Sequence, residues 1–332
     1  MAIGGTKKQH AALVYNPVKV NEQRLLSAVR GLSKKYGWAS PKFYQTSIED
    51  PGQGRTRQAI AAGAAAVLVA GGDGTVRAVS EAMAGTEVPL TIVPSGTGNL
   101  FARNLGLPLA HPETMIEATF IGMTHPVDIG WARLTRENGE ESEHAFVVLA
   151  GMGLDAKMIA HTNAQLKKQV GWIAYIDGAA RSLPGSRPFR TVFQIDDDKL
   201  RTTKVHSMLF ANCGALPAGI TLVPDASLTD GLLDVVVIRP TGPLGWLALW
   251  RRVWWDNSVL RRSRTGRWVL KRRGRDATIR YLSGRTSDAA MDHPTSIELD
   301  GDEFGEAVRM SCRLDQGGLT IVLPKGHDLS QF

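Results

Sequence analysis

The sequence predicts an α/β N-terminal domain built on a parallel sheet, followed by a mostly antiparallel, β-sandwich-like C-terminal domain. Three observations predict it. Four short apolar runs alternate with helical segments over the first hundred or so residues. Glycine-rich loops follow directly on two of those runs. Beyond about residue 125 the helical periodicity gives way to strand patterns separated by turns. At 332 residues and 43% hydrophobic, the chain is long enough for two cores. Residues 1–125 are assigned to the first domain and 126–332 to the second, with the last strands free to return to the first.

The elements follow in order. AALVYNP (11–17) is a buried strand ending in a turn, and NEQRLLSAVRGLSKKYG (21–37) an amphipathic helix closed by glycine. PKFYQ is a second strand, GRTRQAIAAG a helix stopped at Gly63, and AAAVLVA (64–70) a third strand running into GGDGT. A helix runs from Thr75 to about Met83, and PLTIV (89–93) is a fourth strand running into PSGTGN. Apolar strands alternating with helices make an open sheet covered on both faces, and ligands bind at the carboxyl ends of such strands. After helical segments at 99–105 and 111–121, HPVDIGWARL, EHAFVVLAGMG, RTVFQID, TTKVHSMLFANC and GLLDVVVIRP read as strands, interrupted by an apolar helix near 170–183. TSIELD and GGLTIVLP are the last strands.

Composition excludes several functions. Cys213 and Cys312 provide neither a disulfide framework nor a metal-ligand spacing, and the eight histidines are scattered without an HExxH pattern, against zinc catalysis. No secretory h-region and no uncharged apolar stretch of about 18 residues is present, which predicts a cytoplasmic chain. The net charge of +7 is concentrated: residues 251–280 hold eleven Lys or Arg against Asp256 and Asp276.

The chemistry concentrates at two glycine loops and two acidic turns. Gly71, Gly72 and Gly74 of GGDGT let a large anion approach the backbone amides, and the following helix N-terminus favours phosphate. PSGTGN at 94–99 repeats the arrangement after the next strand. Neither loop is a Walker A motif or a dinucleotide GxGxxG. Asp73 inside the first loop would repel phosphate unless a cation bridges them, which predicts Mg²⁺; a helix cap is the simpler alternative. IELDGDEFGE (297–306) offers carboxylates for accepting a hydroxyl proton, or else an acidic hairpin turn in water. PDASLTDG (224–231) is a second acidic turn, equally readable as an Asx turn.

VYNP (14–17), VLVAGGDGTVRAVSEAM (67–83), PLTIVPSGTGNLFARNLGLP (89–108), VDIG (127–130), LVPDASLTDGLLDVVVI (222–238) and LDGD (299–302) together resemble the diacylglycerol kinase catalytic-domain family, which includes soluble bacterial diacylglycerol kinases, YegS-type lipid kinases and sphingosine kinases. The resemblance spans the whole chain and implies an NAD kinase/diacylglycerol kinase-like fold with ATP bound in the cleft between domains. It implies that Asn16 reaches the nucleotide, that the amides around Gly71, Gly72, Gly74, Thr75, Gly96, Thr97 and Gly98 line its phosphates, that Thr46 belongs to the same set, and that Asn99 holds the second loop in shape. Asp73 and Asp128 fall on the catalytic magnesium network, and Asp230 on a structural magnesium ligand, with weaker support for Asp225. Asp300 falls on the family's general base and Asp302 on the glutamate of its Asp-Gly-Glu motif. Three departures stand out: Leu100 replaces a family aspartate, Asp302 is one methylene shorter than glutamate, and NPVKV replaces the NPxSG form, where Lys19 can supply positive charge.

The implied function is phosphorylation of the hydroxyl of a membrane lipid, diacylglycerol first, with a sphingoid base or another lipid alcohol as alternatives. Rival readings are an NAD kinase and a nucleotide-regulated lipid-binding protein without turnover. A nucleic-acid binder lacks any RNP, zinc-finger or helix-turn-helix signature. GMGLDAKMIA (151–160) and VGWIAYIDGAARSL (170–183) could line an acyl pocket or simply be core. PLGWLALWRRVWW places Trp246, Trp250 and Trp254 on one helical face beside a basic run, so residues 243–275 are read as an anionic-membrane docking segment; a core-facing stripe and a homodimer interface are the alternatives.

Overall fold

The computed structural model describes residues 8–153, 188–215, 223, 226–239 and 279–329. The proposed docking segment 243–275, the apolar helix at 170–183, residues 154–160 and Asp225 lie outside the described residues. The chain divides into two units, residues 1–127 with 317–332, and residues 128–316.

The first unit contains β1 (Ala11–Tyr15), α1 (Glu22–Lys35), β2 (Lys42–Gln45), α2 (Gln53–Ala61), β3 (Ala66–Gly71), α3 (Asp73–Met83), β4 (Leu90–Pro94), α4 (Leu100–Asn104) and α5 (Pro112–Ile121). β1, β3 and β4 are buried along their whole length, as apolar runs covered on both faces must be. The strands are parallel in the order β2-β1-β3-β4. Asn21 caps α1 by accepting the Arg24 N–H at 3.1 Å, and Leu25 and Val29 of that helix pack on Leu13 and Leu68. α3 starts at Asp73, two residues before the position the sequence predicts, because the backbone of Gly72 already serves as its cap. Ile321, near the end of the chain, pairs in parallel with Leu90 of β4.

The second unit is built from β5 (Met123–Thr135), whose first residues belong to the first unit, with β6 (Glu141–Phe146), β7 (Leu149–Met152), β8 (Phe189–Ile195), β9 (Arg201–Val205), β10 (Ser207–Ala211), β11 (Leu233–Ile238), β12 (Ile279–Gly284), β13 (Thr286–Leu299) and β14 (Asp302–Leu323), which ends in the first unit. Its pairings are antiparallel: β12-β11-β10-β7-β13-β14 in one run, β8 beside β13 with β9 beside β8, and β6 beside β5. β13 pairs with β8 through Ser287–Met291 and with β7 through Ile297–Leu299. Irregularities between Ala290 and Thr295 and between Ser296 and Glu298 divide the two pairings. A strand that changes neighbours at bulges is how sandwich corners are made. Phe146, Phe193, Phe210, Leu299 and Met310 form the core.

Three strand readings need correction. EHAFVVLAGMG is two strands, broken at Val147 and Val148, and TTKVHSMLFANC is two strands, broken at His206. β12, the first half of β13 and the first half of β14 escaped the sequence pattern altogether. In β13 and β14 the inward residues are small or weakly apolar, among them Ser287, Ala289, Ala307 and Cys312, so the period-2 hydrophobic signal is faint.

Candidate active site

The carboxyl edge of the parallel sheet gathers one set of candidates. Tyr15 stands level with Gln45 on one side and Ala70 on the other, and Gly71 with Pro94. The residues that follow these strands, Asn16, Thr46, Gly72 and Ser95, therefore sit in a row along one edge. The order 2-1-3-4 puts the topological switch point between β1 and β3, at Asn16 and the GGDGT loop. Asn16 extends β1 by donating its N–H to the Ala70 carbonyl at 2.9 Å, and its Oδ1 accepts the Val18 N–H at 3.0 Å, which shapes the turn that exposes Lys19. Thr46 is buried and donates its N–H to the Tyr15 carbonyl at 2.9 Å. The phenol of Tyr15 is no acid or base here, since burial and the adjoining Glu22 push its pKa to about 12.

The two glycine loops interlock. A Cβ on Gly71 would stand 2.7 Å from the Thr75 Cβ, and one on Gly96 would stand 3.1 Å from the Gly72 Cα. A Cβ on Gly98 would overlap Asp73 Oδ2. Asn99, at φ 48°, accepts the Gly96 N–H at 3.0 Å through Oδ1 and donates from Nδ2 to the Gly96 carbonyl at 2.7 Å. Asp73 Oδ1 accepts the Leu100 N–H at 2.6 Å, so the carboxylate of one loop starts the helix of the next. The first bond of α3 runs from Val76 N–H to the Gly72 carbonyl and no side chain caps the helix, which places the amides of Gly74 and Thr75 outside the helical ladder, where an anion can meet them. Thr97 is exposed on the second loop.

Sequence reasoning passed over Arg103. Its Nε donates to the Gly98 carbonyl at 2.7 Å, the side chain is exposed, and among the described residues no carboxylate pairs with it. A guanidinium anchored to a glycine loop is the positive charge that a loop without a Walker lysine needs. The available signal was its position on the first turn of the helix leaving PSGTGN.

In the second unit Asp128 is 1% exposed. Its Oδ2 accepts the Gly231 N–H at 2.8 Å and its own N–H donates to the Leu228 carbonyl at 2.7 Å, so it is pinned to the SLTDG turn. Asp230 is exposed and its Oδ1 accepts the Leu232 N–H at 2.9 Å, an Asx turn. Asn212, which no sequence pattern singled out, donates from Nδ2 to the carbonyls of Asp128 at 3.0 Å and Val147 at 3.1 Å. Val147 links onward to Asp300, whose carboxylate accepts the N–H groups of Val147, Val148 and Leu149. The acidic turn at 299–302 is thus a hairpin, but Asp300 is buried in it and does not face water. Asp302 is partly exposed. Cys213 is buried, and burial together with the nearby Asp300 charge raises its thiol pKa well above the ordinary range, so it is no nucleophile.

Among the described residues no three acidic, histidine or cysteine side chains converge as a metal cage. Mg²⁺ usually takes only one or two carboxylates together with water and substrate phosphates. Asp73 and Asp128 offer hard oxygen donors of that kind. Among the described residues no helix is long and apolar enough to cross a membrane.

Comparison with known proteins agrees with the two-part organisation. The diacylglycerol kinase catalytic domain matches residues 10–132, and the YegS C-terminal NAD kinase beta sandwich-like domain matches residues 147–313. A diacylglycerol kinase of Mycobacterium tuberculosis is 32% identical over 181 residues, 54% of this chain and 57% of that protein; the match therefore spans little more than half the length of that relative. A diacylglycerol kinase of Bacillus subtilis is 26% identical over 70% of this chain and 74% of its own length. A diacylglycerol kinase crystal structure from Bacillus anthracis superposes with a TM-score of 0.65 at 18% identity, covering 97% of this chain and 100% of that one. Yeast NADH kinase superposes at 0.56 with 11% identity, covering 98% of this chain and 86% of that one, a likeness of fold. With interlocked glycine loops at the carboxyl edge of a parallel sheet, and both halves matched in sequence, the chain belongs to the family that joins a diacylglycerol kinase catalytic domain to a YegS-type C-terminal domain.

Proposed function

We propose that this protein is an ATP-dependent lipid kinase that phosphorylates the hydroxyl of a membrane lipid, diacylglycerol first, to give a phosphatidic acid. The observation that carries the reading is the pair of interlocked loops, Gly71–Thr75 and Gly96–Asn99, which present helix-terminal amides and the Arg103 guanidinium at one sheet edge. Phosphoryl transfer asks mainly for positioning and charge stabilisation. In this reading Asn16, Lys19 and Thr46 meet the nucleotide and the two loops hold its phosphates. The lipid oxygen bonds to the γ-phosphorus as the bond from that phosphorus to the bridging oxygen breaks, its electrons leaving on ADP. The hydroxyl proton passes to a carboxylate of the 300–302 hairpin. Mg²⁺, held by Asp73 and Asp128 with the phosphates, would neutralise charge on the transferring group; Asp230 is proposed to hold a second, structural ion.

The deciding experiment incubates the purified protein and γ-labelled ATP with a panel of lipid alcohols and, separately, with NAD⁺. Label in phosphatidic acid supports the proposal, label in another lipid phosphate moves the substrate, and label in NADP⁺ or in no product overturns it. Arg103→Ala is expected to raise the KM for ATP about tenfold or more while kcat changes less, the pattern for a charge-assisted bond made equally in ground and transition states.

The protein is further proposed to act at the inner face of the membrane, docked on anionic lipid through the basic, tryptophan-rich residues 243–275. A few engaged basic residues at about 1 kcal/mol each give reversible attachment. Wild-type protein should float with phosphatidylglycerol vesicles at low salt, whereas a variant with Arg261, Arg262, Lys271 and Arg272 all changed to Glu should remain at the bottom. Equal flotation of both removes the docking proposal.

A further inference from the structure

One buried asparagine links Asp128 to Asp300. Asn212 lies just past β10 and is 1% exposed. Its N–H donates to the Val148 carbonyl at 2.9 Å, and the Cys213 N–H meets the same oxygen at 3.1 Å. Its Nδ2 donates to the carbonyls of Asp128 at 3.0 Å and Val147 at 3.1 Å. A nitrogen facing two carbonyl oxygens settles which end of the amide is which. Oδ1 is then turned away from both carbonyls, and it is buried with no hydrogen bond from the described residues.

A buried acceptor left unpaired costs free energy, whereas an apolar side chain of the same shape avoids that cost. Stability alone is therefore a poor reason for an asparagine here. What the amide supplies is two donors on one nitrogen, which no hydroxyl, thiol or hydrocarbon offers. Cys213 gives the contrast. Its Sγ reaches the same Val147 carbonyl at 3.2 Å, and its single S–H is spent there.

Each end of the bridge leads to a carboxylate. At one end is Asp128 itself, whose Oδ2 accepts the Gly231 N–H at 2.8 Å. At the other end Val147 donates its own N–H to Asp300 Oδ2 at 2.8 Å, and Val148 and Leu149 donate to Oδ1 at 2.8 and 2.9 Å. One side-chain nitrogen and one residue thus separate the backbone of Asp128 from the carboxylate of Asp300.

Building on the lipid-kinase reading, in which Asp128 helps to hold Mg²⁺ and Asp300 takes the hydroxyl proton, we propose that Asn212 is a positioning residue that keeps these two carboxylates in register. Both act on one transferring phosphoryl group, and a misplacement of about 1 Å in such a pair costs about 10²-fold in rate.

The test compares wild type, Asn212→Leu and Cys213→Ala, each well below its melting point. Leucine roughly keeps the volume and removes both donors. Alanine at 213 removes the neighbouring bond to Val147 and leaves the bridge intact. Backbone amide signals report the two carboxylates separately, Gly231 for Asp128 and Val147 to Leu149 for Asp300. Asn212→Leu should displace both sets, and Cys213→Ala should leave Gly231 in place. In lipid phosphorylation Asn212→Leu should lose about 10²-fold in kcat, with a smaller change in the KM for ATP, while Cys213→Ala stays near wild type. An asparagine that only stabilised the fold would lower the melting point and leave kcat per folded molecule unchanged. The proposal is overturned by near-wild-type kcat in folded Asn212→Leu, by a Gly231 signal that does not move, or by an equal kcat loss in Cys213→Ala. Where Asn212→Leu does not fold, Asn212→Ser takes its place, because one hydroxyl donor can serve one carbonyl but not both. Its kcat should still fall, and full turnover overturns the bridge. A wild type that phosphorylates no lipid sinks the kinase reading instead, and the amide signals, which need no turnover, then decide whether the bridge joins the two acids.

Discussion

Asp73→Asn should lower lipid phosphorylation about 10²- to 10³-fold, the loss expected when a preorganised charge at the reacting phosphates is removed, with little change in melting point. The substitution separates two roles that the wild-type side chain combines. Asparagine keeps an oxygen that can accept the Leu100 N–H, now bonded to Asp73 Oδ1 at 2.6 Å, so the tie between the loops survives. It removes the negative charge that Mg²⁺ would require. Asp73→Ala removes both and should also loosen the second loop, which is visible as faster amide exchange at Gly96 and Gly98. If Asp73→Asn retained more than about a third of wild-type turnover under saturating ATP, the carboxylate would be a loop tie and no more. The glycine that touches it gives an independent check. Gly98→Ala puts a methyl group where Asp73 Oδ2 lies, and a short side chain has little room to retreat, so activity should fall here as well.

Asp128→Ala should destabilise the second unit by about 2 to 3 kcal/mol, the range for a buried hydrogen bond to a charged acceptor. The side chain is 1% exposed, and its removal strands the Gly231 N–H, now bonded at 2.8 Å, without a partner or water to replace it. Urea unfolding reads the change as a lower midpoint at constant slope. Asp230→Ala, by contrast, removes only an exposed Asx-turn bond to the Leu232 N–H and should cost under about 1 kcal/mol without added Mg²⁺. If Asp230 binds a structural ion, wild type gains stability from Mg²⁺ and Asp230→Ala does not. An equal Mg²⁺ response in both proteins would remove Asp230 as a ligand.

The first unit was the more legible half, for a reason that lies in its residues. β1, β3 and β4 are buried on both faces, so each appears as an unbroken apolar run, and β3 and β4 end in loops whose glycines are demanded by close packing at Gly71, Gly96 and Gly98. The second unit hides its strands. Inward positions of β13 and β14 are often alanine, serine or cysteine, and outward ones carry charges such as Asp288 and Arg309, which bond to each other across the pair. A strand held by its ladder and by cross-strand pairs leaves a weak mark on local hydrophobicity.

By itself the sequence determined what is local: the strand and glycine-loop alternation, the caps, the Asp-Gly turn at 300–301 and the chemical types available for phosphate and cation. Only the tertiary structure decided what each acid does. Asp300 and Val147 are 153 positions apart, as are Asp300 and its partners Val148 and Leu149 within one or two residues, and nothing in a local window reveals that three amides from a broken strand will close on that carboxylate. The physical reason is that an acid's role is set by its partners and its burial. Those are fixed by which distant backbone groups the sheet leaves unpaired, whereas turns and strand periods are fixed by the stereochemistry of neighbouring residues.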